Sequence, residues 1–208
     1  MSTRTLTRRQ FLGRGLGALA LVAVVPSMAA QAFAEAPDAR RARMLEALRG
    51  LDTRIGAVEL RRLAGAEAEA LLESIALDRA IDGRVRLRAV ASLTVLATQD
   101  AVSRLQAVER SPGLHERLRW HARHGAVAAM GQRDPALAVA LAAAYQRTDA
   151  PLLREAAVRG LRALPAEAAL PAAVQQRLAA LLDAADKDPD ARVQRAAGAV
   201  RRARARMK

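Results

Sequence analysis

The chain has 208 residues, a length that suits one domain or one short array, and it contains no cysteine, which excludes disulfides, thiolate metal sites, a cysteine nucleophile and a lipid-modified N-terminal cysteine. Hydrophobic residues make up 52% of it but aromatics only 2%; an apolar content of mostly Ala, Leu and Val, with no run of alternating β-branched residues, predicts an all-α fold. The net charge of +13 sits at the ends: residues 1–34 and 192–208 carry 11 of the 34 basic residues and no acid, which leaves 23 basic against 21 acidic residues over 35–191.

The first 34 residues read as an address. Arg4, Arg8, Arg9 and Arg14 surround or precede an apolar stretch from Gly15 to Val25, and Ala32-Phe33-Ala34 forms an A-x-A site. This is the three-part layout of a secretory signal. Thr7-Arg8-Arg9-Gln10-Phe11-Leu12 closely resembles the twin-arginine motif, with Gly13 where the motif has Lys. The resemblance implies export of an already folded protein by the twin-arginine translocase. Arg8, Arg9, Phe11 and Leu12 would be read by the translocase, and Ala32 and Ala34 would mark cleavage. The expected location is the periplasm or beyond the cell. Two other readings stay open. The arginines could be an ordinary signal n-region, or the uncharged segment 15–34 could remain as a membrane anchor, although its apolar part is short of the roughly 20 residues that a spanning helix needs.

Residues 35–79 follow the signal. Met44, Leu45 and Leu48, then Leu71, Leu72 and Ile75, recur at helical spacing and predict a helical N-terminal cap or a degenerate first repeat.

From residue 80 to 208 the chain repeats itself. Val85-Arg86-Leu87-Arg88-Ala89, Leu118-Arg119-Trp120-His121-Ala122, Leu153-Arg154-Glu155-Ala156-Ala157 and Val193-Gln194-Arg195-Ala196-Ala197 open four similar helices. Val85, Ala89, Ser92 and Leu96 share one helix face, as do Leu153, Ala156, Ala157, Gly160, Leu161 and Leu164; small residues in mid-stripe allow a neighbouring helix to come close. Second amphipathic segments, Ala101–Val108, Ala136–Tyr145 and Val174–Leu182, lie between them. Asp82-Gly83, Ser111-Pro112-Gly113, Asp149-Ala150-Pro151 and Asp188-Pro189-Asp190 precede the four helices, and supply N-caps or Pro at a first turn. Thr98-Gln99-Asp100, Arg133-Asp134-Pro135 and Leu164-Pro165 mark the turns within each pair. One hairpin cannot bury both its faces, so each must stack on the next.

Asp188-Pro189-Asp190 followed by Val193-Gln194 and Ala196-Ala197 resembles the HEAT-repeat signature, in particular the subclass of phycobilin-lyase-like proteins, over about residues 80–206. The resemblance implies a short α-solenoid of stacked hairpins. Gln194 stands where that pattern has Arg, and Arg201 where it has Leu. In that family the second-position arginines pair with an acid in a neighbouring turn. Arg86, Arg119 and Arg154 are the arginines here, Asp82, Glu116 and Asp149 their expected partners, and an exposed pair of this type is worth only about 0–1 kcal/mol.

The last helix keeps an apolar face through Val193, Ala196, Ala197 and Val200 and then turns basic. A terminal repeat needs a polar outer face, and cations in a last turn complement the helix dipole. Arg201, Arg202, Arg204 and Arg206 are also the candidate basic binding tail, for an anionic membrane surface or another polyanion.

Chemistry-bearing residues are sparse. His115, His121 and His124 cluster beside Trp120, the only tryptophan. His121 and His124 can share a helix face, but two histidines without a third ligand make a weak metal site, and packing against a hairpin surface or a concave groove is the plainer expectation. The acids Glu67, Glu69, Asp186, Asp188 and Asp190 read as solvated turns and caps. No catalytic residue, cofactor site or metal site is expected. The sequence thus points to an exported, non-catalytic scaffold for protein–protein interaction in the cell envelope, whose partner it does not name. Two alternatives stand beside it: polyanion or nucleic-acid binding through the basic C-terminal helix, and an accessory subunit of an enzyme. Nucleic acid is not the expected partner, because the body is nearly neutral and export leads away from the chromosome.

Overall fold

The computed structural model describes residues 37–50, 55–148 and 150–207. The expected signal segment, with Arg8, Arg9, Phe11, Leu12, Ala32 and Ala34, lies outside them, as does Asp149. Every regular element among the described residues is helical. In chain order they are α1 (Pro37–Arg49), α2 (Ala57–Ala64), α3 (Ala68–Leu77), α4 (Gly83–Leu96), α5 (Gln99–Arg110), α6 (Glu116–Arg133), α7 (Pro135–Tyr145), α8 (Pro151–Gly160), α9 (Ala172–Asp186) and α10 (Ala191–Ala205). Short 3-10 turns occupy Gly65–Glu67, Leu161–Ala163 and Glu167–Ala169.

Local chemistry sets the starts. The Asp82 carboxylate accepts from the Arg84 N–H at 2.8 Å, Thr98 Oγ1 from the Ala101 N–H at 3.0 Å, and Asp190 from the Arg192 N–H at 2.8 Å. Asp134 accepts from both Ala136 and Leu137, with Pro135 opening α7 behind it. The start of α6 differs from expectation. Ser111 does not cap it; His115 does, its Nδ1 accepting from the Arg117 N–H. The turn before it bends at Gly113, whose φ of +70° lies in the left-handed region, and this sets Ser111 too far back to reach the helix.

α4, α6, α8 and α10 follow one another in a row, α4 packed on α6, α6 on α8 and α8 on α10, and α3 packs on α5 and α7 on α9. Hairpin neighbours such as α3 and α4, α5 and α6, and α9 and α10 join these helices, and α1 and α2 both lie against α4. The expected stripes face inward: Val85, Ala89, Ser92 and Leu96 are buried on α4, and Leu153, Ala156, Ala157 and Gly160 on α8. One apolar cluster runs from Met44 to Val200. Each large side chain buried in it contributes about 1.5–3 kcal/mol.

Two glycines let that row close up. A Cβ on Gly125 of α6 would stand 2.2 Å from Thr94 Oγ1 of α4, and one on Gly160 of α8 would stand 2.7 Å from Val127 Cβ and 2.8 Å from the His124 carbonyl oxygen of α6. Glycine in a helix interior costs about 1 kcal/mol; a larger residue at 160 would meet backbone and push α6 and α8 apart, while one at 125 would displace the Thr94 side chain.

The second-position side chains repeat one interaction that the sequence did not announce, a bond to a backbone carbonyl. Arg86 Nε donates to the Ala76 carbonyl at 2.9 Å and Arg119 Nε to the Glu109 carbonyl at 2.9 Å, each ten residues back. Arg154 Nη1 donates to the Thr148 carbonyl at 3.0 Å and Gln194 Nε2 to the Asp188 carbonyl at 2.8 Å, each six residues back. Each therefore ties its helix to the end of the preceding helix, or to the turn after it, where carbonyls lack a helical partner. Gln194 does this as well as the arginines, because only an N–H donor is needed. Asp82 caps α4 rather than pairing with Arg86. Arg119 takes the buried Glu109 at 3.7 Å, and Arg154 takes Asp188, 34 residues along the chain.

Nor are the acids all solvated. Glu69 is buried, gripped at both oxygens by Arg61 and bonded at 2.8 Å by the Thr98 hydroxyl, so one carboxylate joins α2, α3 and the α4–α5 turn. Three donors thus replace the water that burial takes from this side chain.

Candidate functional site

A cleft of about 340 Å³ opens between the end of α1, the start of the α2 segment, α4 and α6. Its apolar wall is Leu48, Ile55, Val90, Ala91 and Val95, and its polar groups are Arg88, Ser92, Thr94, His121 and His124. Val95 lies off the buried stripe of α4 and remains 44% exposed. Arg88 holds the α1 side in place: its Nη1 donates to the Leu48 carbonyl at 2.9 Å and also to the Gly50 carbonyl, both at the end of α1. Thr94 returns its hydroxyl to the Val90 carbonyl at 3.2 Å.

The histidine wall is an aromatic cluster. The His124 ring stacks on Trp120 with a 4° interplanar angle and centroids 5.3 Å apart, while His121 meets Trp120 edge-on at 4.8 Å. Burial first, then the charges of His121, Arg159 and Arg162, push His124 down to about 4, and burial with the Arg117 charge lowers His121. Both imidazoles are therefore neutral at pH 7, and each offers one N–H donor and one nitrogen acceptor. His115 caps α6 and takes no part in the cleft.

The four arginines of the basic tail do not form one surface. Arg201 reaches back across the α9–α10 pair to Asp183 and Asp186. Arg204 is buried, donating Nη1 to the Pro165 carbonyl at 3.0 Å, and burial lowers its pKa. Only Arg202 and Arg206 stand exposed without such an anchor. Arg201 thus fastens α10 to α9, and Arg204 fastens it to the segment before α9. Both also border a smaller cleft of about 220 Å³ with Glu167 and Gln175.

No group of three or more His, Asp or Glu among the described residues is placed to hold a metal, and no helix among them is long and apolar enough to cross a membrane. Comparison with family models, with curated proteins and with solved structures gives no match. Of the cleft, the sequence pointed to His121 and His124. It missed Val95, Arg88 and Ser92, although Val95 carried a signal: a large apolar residue about a quarter turn off the buried stripe of α4.

Proposed function

We propose that the chain is an exported, non-catalytic helical-repeat protein of the HEAT type that serves as an interaction scaffold in the cell envelope. The observation that carries this reading is the recurrent tie made by Arg86 and Arg119 to the end of the preceding helix and by Arg154 and Gln194 to the turn after it. One interaction repeated at one position of successive hairpins is what a solenoid needs to hold its register, and a solenoid offers an extended face to a partner. The twin-arginine-like Arg8-Arg9 and the A-x-A site at Ala32–Ala34 support export. The membrane or polyanion alternative rests on the exposed Arg202 and Arg206, a narrow base for it once Arg201 and Arg204 are engaged within the fold.

Fractionation of cells expressing the native chain, beside an Arg8→Lys/Arg9→Lys variant, tests the export. A product outside the cytoplasm that begins near Glu35, and is lost in the variant, is the expected result. A full-length cytoplasmic product in both cases overturns it and makes a polyanion the first ligand to try.

A further inference from the structure

We propose that the outward face of α10 docks the chain on an anionic phospholipid surface. Arg202 and Arg206 are not alone on that face, because Arg195 stands in line with them. At 3.6 residues per turn the three lie within about 40° of one another, along about 16 Å of helix. All three are exposed, and none of their side chains makes an ion pair or hydrogen bond among the described residues. The other face of α10, with Val193, Ala196, Ala197 and Val200, is the buried one.

The acids at this end of the chain are engaged elsewhere. Asp183 and Asp186 hold Arg201, Asp188 holds Arg154, and Asp190 holds Arg192 while it caps α10. α10 itself contains no acid. Arg202 also leans toward Arg195: its Nη1 lies back over Gly198, 3.3 Å from where a Cβ would stand. Two cations are thus drawn together with no acid between them, and an anion at that place relieves their repulsion. The planar guanidinium fork suits the oxygens of a phosphate.

The shape of the face selects the source of the phosphate. Ala191, Gly198 and Ala199 lie beside the arginines, so the strip is low and the guanidiniums are its highest points. A bilayer presents its phosphates in a plane and meets a straight row along its whole length, whereas the phosphates of a duplex wind away from it. The strip has no aromatic side chain to stack on a base and no amide to read one. It also lacks the apolar core of a protein interface.

Docking of this kind depends on neither the export nor the scaffold role, so it can fail or hold on its own. The chain has no cysteine, so a fluorophore on Ala191→Cys reports from this face, and one on Ala140→Cys, exposed on α7, reports from another. The full chain with either label is titrated with vesicles that carry a quencher, made of phosphatidylcholine alone or with phosphatidylglycerol added. Comparing the two labels isolates this face from any other part of the chain that touches lipid. We expect quenching at 191 well above that at 140, only with phosphatidylglycerol, and fading as salt is raised. Arg195→Gln/Arg202→Gln/Arg206→Gln should raise the lipid needed for half-maximal quenching at 191 by about a hundredfold. Arg84→Gln/Arg117→Gln/Arg147→Gln, an equal loss of exposed charge elsewhere, should raise it by less than about tenfold. Equal quenching at the two positions, an equal response to the two lipids, or indifference to the α10 variant would overturn the proposal. So would tighter binding to duplex DNA than to the vesicles with the same dependence on the three arginines, which would make the strip a nucleic-acid contact.

Discussion

Arg154 on α8 and Asp188 in the turn before α10 meet in a fork: Nε lies 2.8 Å from Oδ2 and Nη2 lies 2.8 Å from Oδ1. The side chains are only 11% and 9% exposed, so this pair is not of the exposed, near-neutral kind. Losing one partner leaves the other charged and nearly dry, at a cost of about 3 kcal/mol. Arg154→Ala should lose about that much in denaturant unfolding, and Arg154→Lys should recover only part, because a point charge cannot make two parallel bonds. A loss under about 1 kcal/mol would return the pair to the exposed class. The Arg154 bond first, then a backbone N–H from Asp190, holds the Asp188 carboxyl below its ordinary value against the effect of burial. The stability from the pair is therefore complete above the unfolded carboxyl range and is lost as pH falls through the lowered folded value.

Glu109 and Arg123 form a second pair, deeper in the fold. Both are at least nine-tenths buried, they are bonded to each other, and the Arg123 guanidinium lies 4.1 Å above the Tyr145 ring. Glu109→Leu alone should cost about 3–5 kcal/mol by stranding Arg123. The double variant Glu109→Leu/Arg123→Met should recover most of it, since two apolar side chains need no partner. Equal losses in the single and double variants would mean that packing, not the unpaired charge, sets the cost.

His124 gives the fold an acid-sensitive range. It is pushed down to about 4 from an ordinary 6.5. Above 6.5 neither folded nor unfolded chain binds the proton, and stability is unaffected. Between 6.5 and about 4 the unfolded chain binds it and the folded chain does not, so stability falls as pH falls, by up to about 3 kcal/mol in all. His121, lowered in the same direction, adds to the slope. His124→Phe keeps the stack on Trp120 and should flatten the curve between pH 7 and 4.5. An equally steep curve in that variant would place the acid sensitivity elsewhere.

Gly160 sets the spacing of α6 and α8. Gly160→Ala should destabilise by about 2 kcal/mol although alanine is the better helix former, because the new methyl would meet the His124 carbonyl at 2.8 Å and Val127 at 2.7 Å. Gly198→Ala is the control. Its nearest neighbour is the end of the flexible Arg202 side chain at 3.3 Å, so thermal unfolding should show little change or a gain. A gain at both positions would mean that the α6–α8 crossing has room to spare.

By itself the sequence determined that the chain is helical, where most helices begin, and which face of each is buried. Composition, the 3.6-residue period and the caps are local properties. Val85, Ala89, Ser92 and Leu96 announce their face without knowing what covers it, and Asp82, Thr98 and Asp134 reach only a few residues ahead. The tertiary structure decided which side chains meet at a distance. Asp188 is 34 residues from Arg154, Glu69 is 29 residues from Thr98, and Leu48 is brought to His124 by α1 lying on α4. These meetings depend on the angle and spacing at which helices cross, as where Gly125 and Gly160 let α6 come close to α4 and α8. No periodicity along the chain encodes that distance. It follows from the packing of the whole stack, which is why the cleft and the buried ion pairs became visible only when the helices were in place.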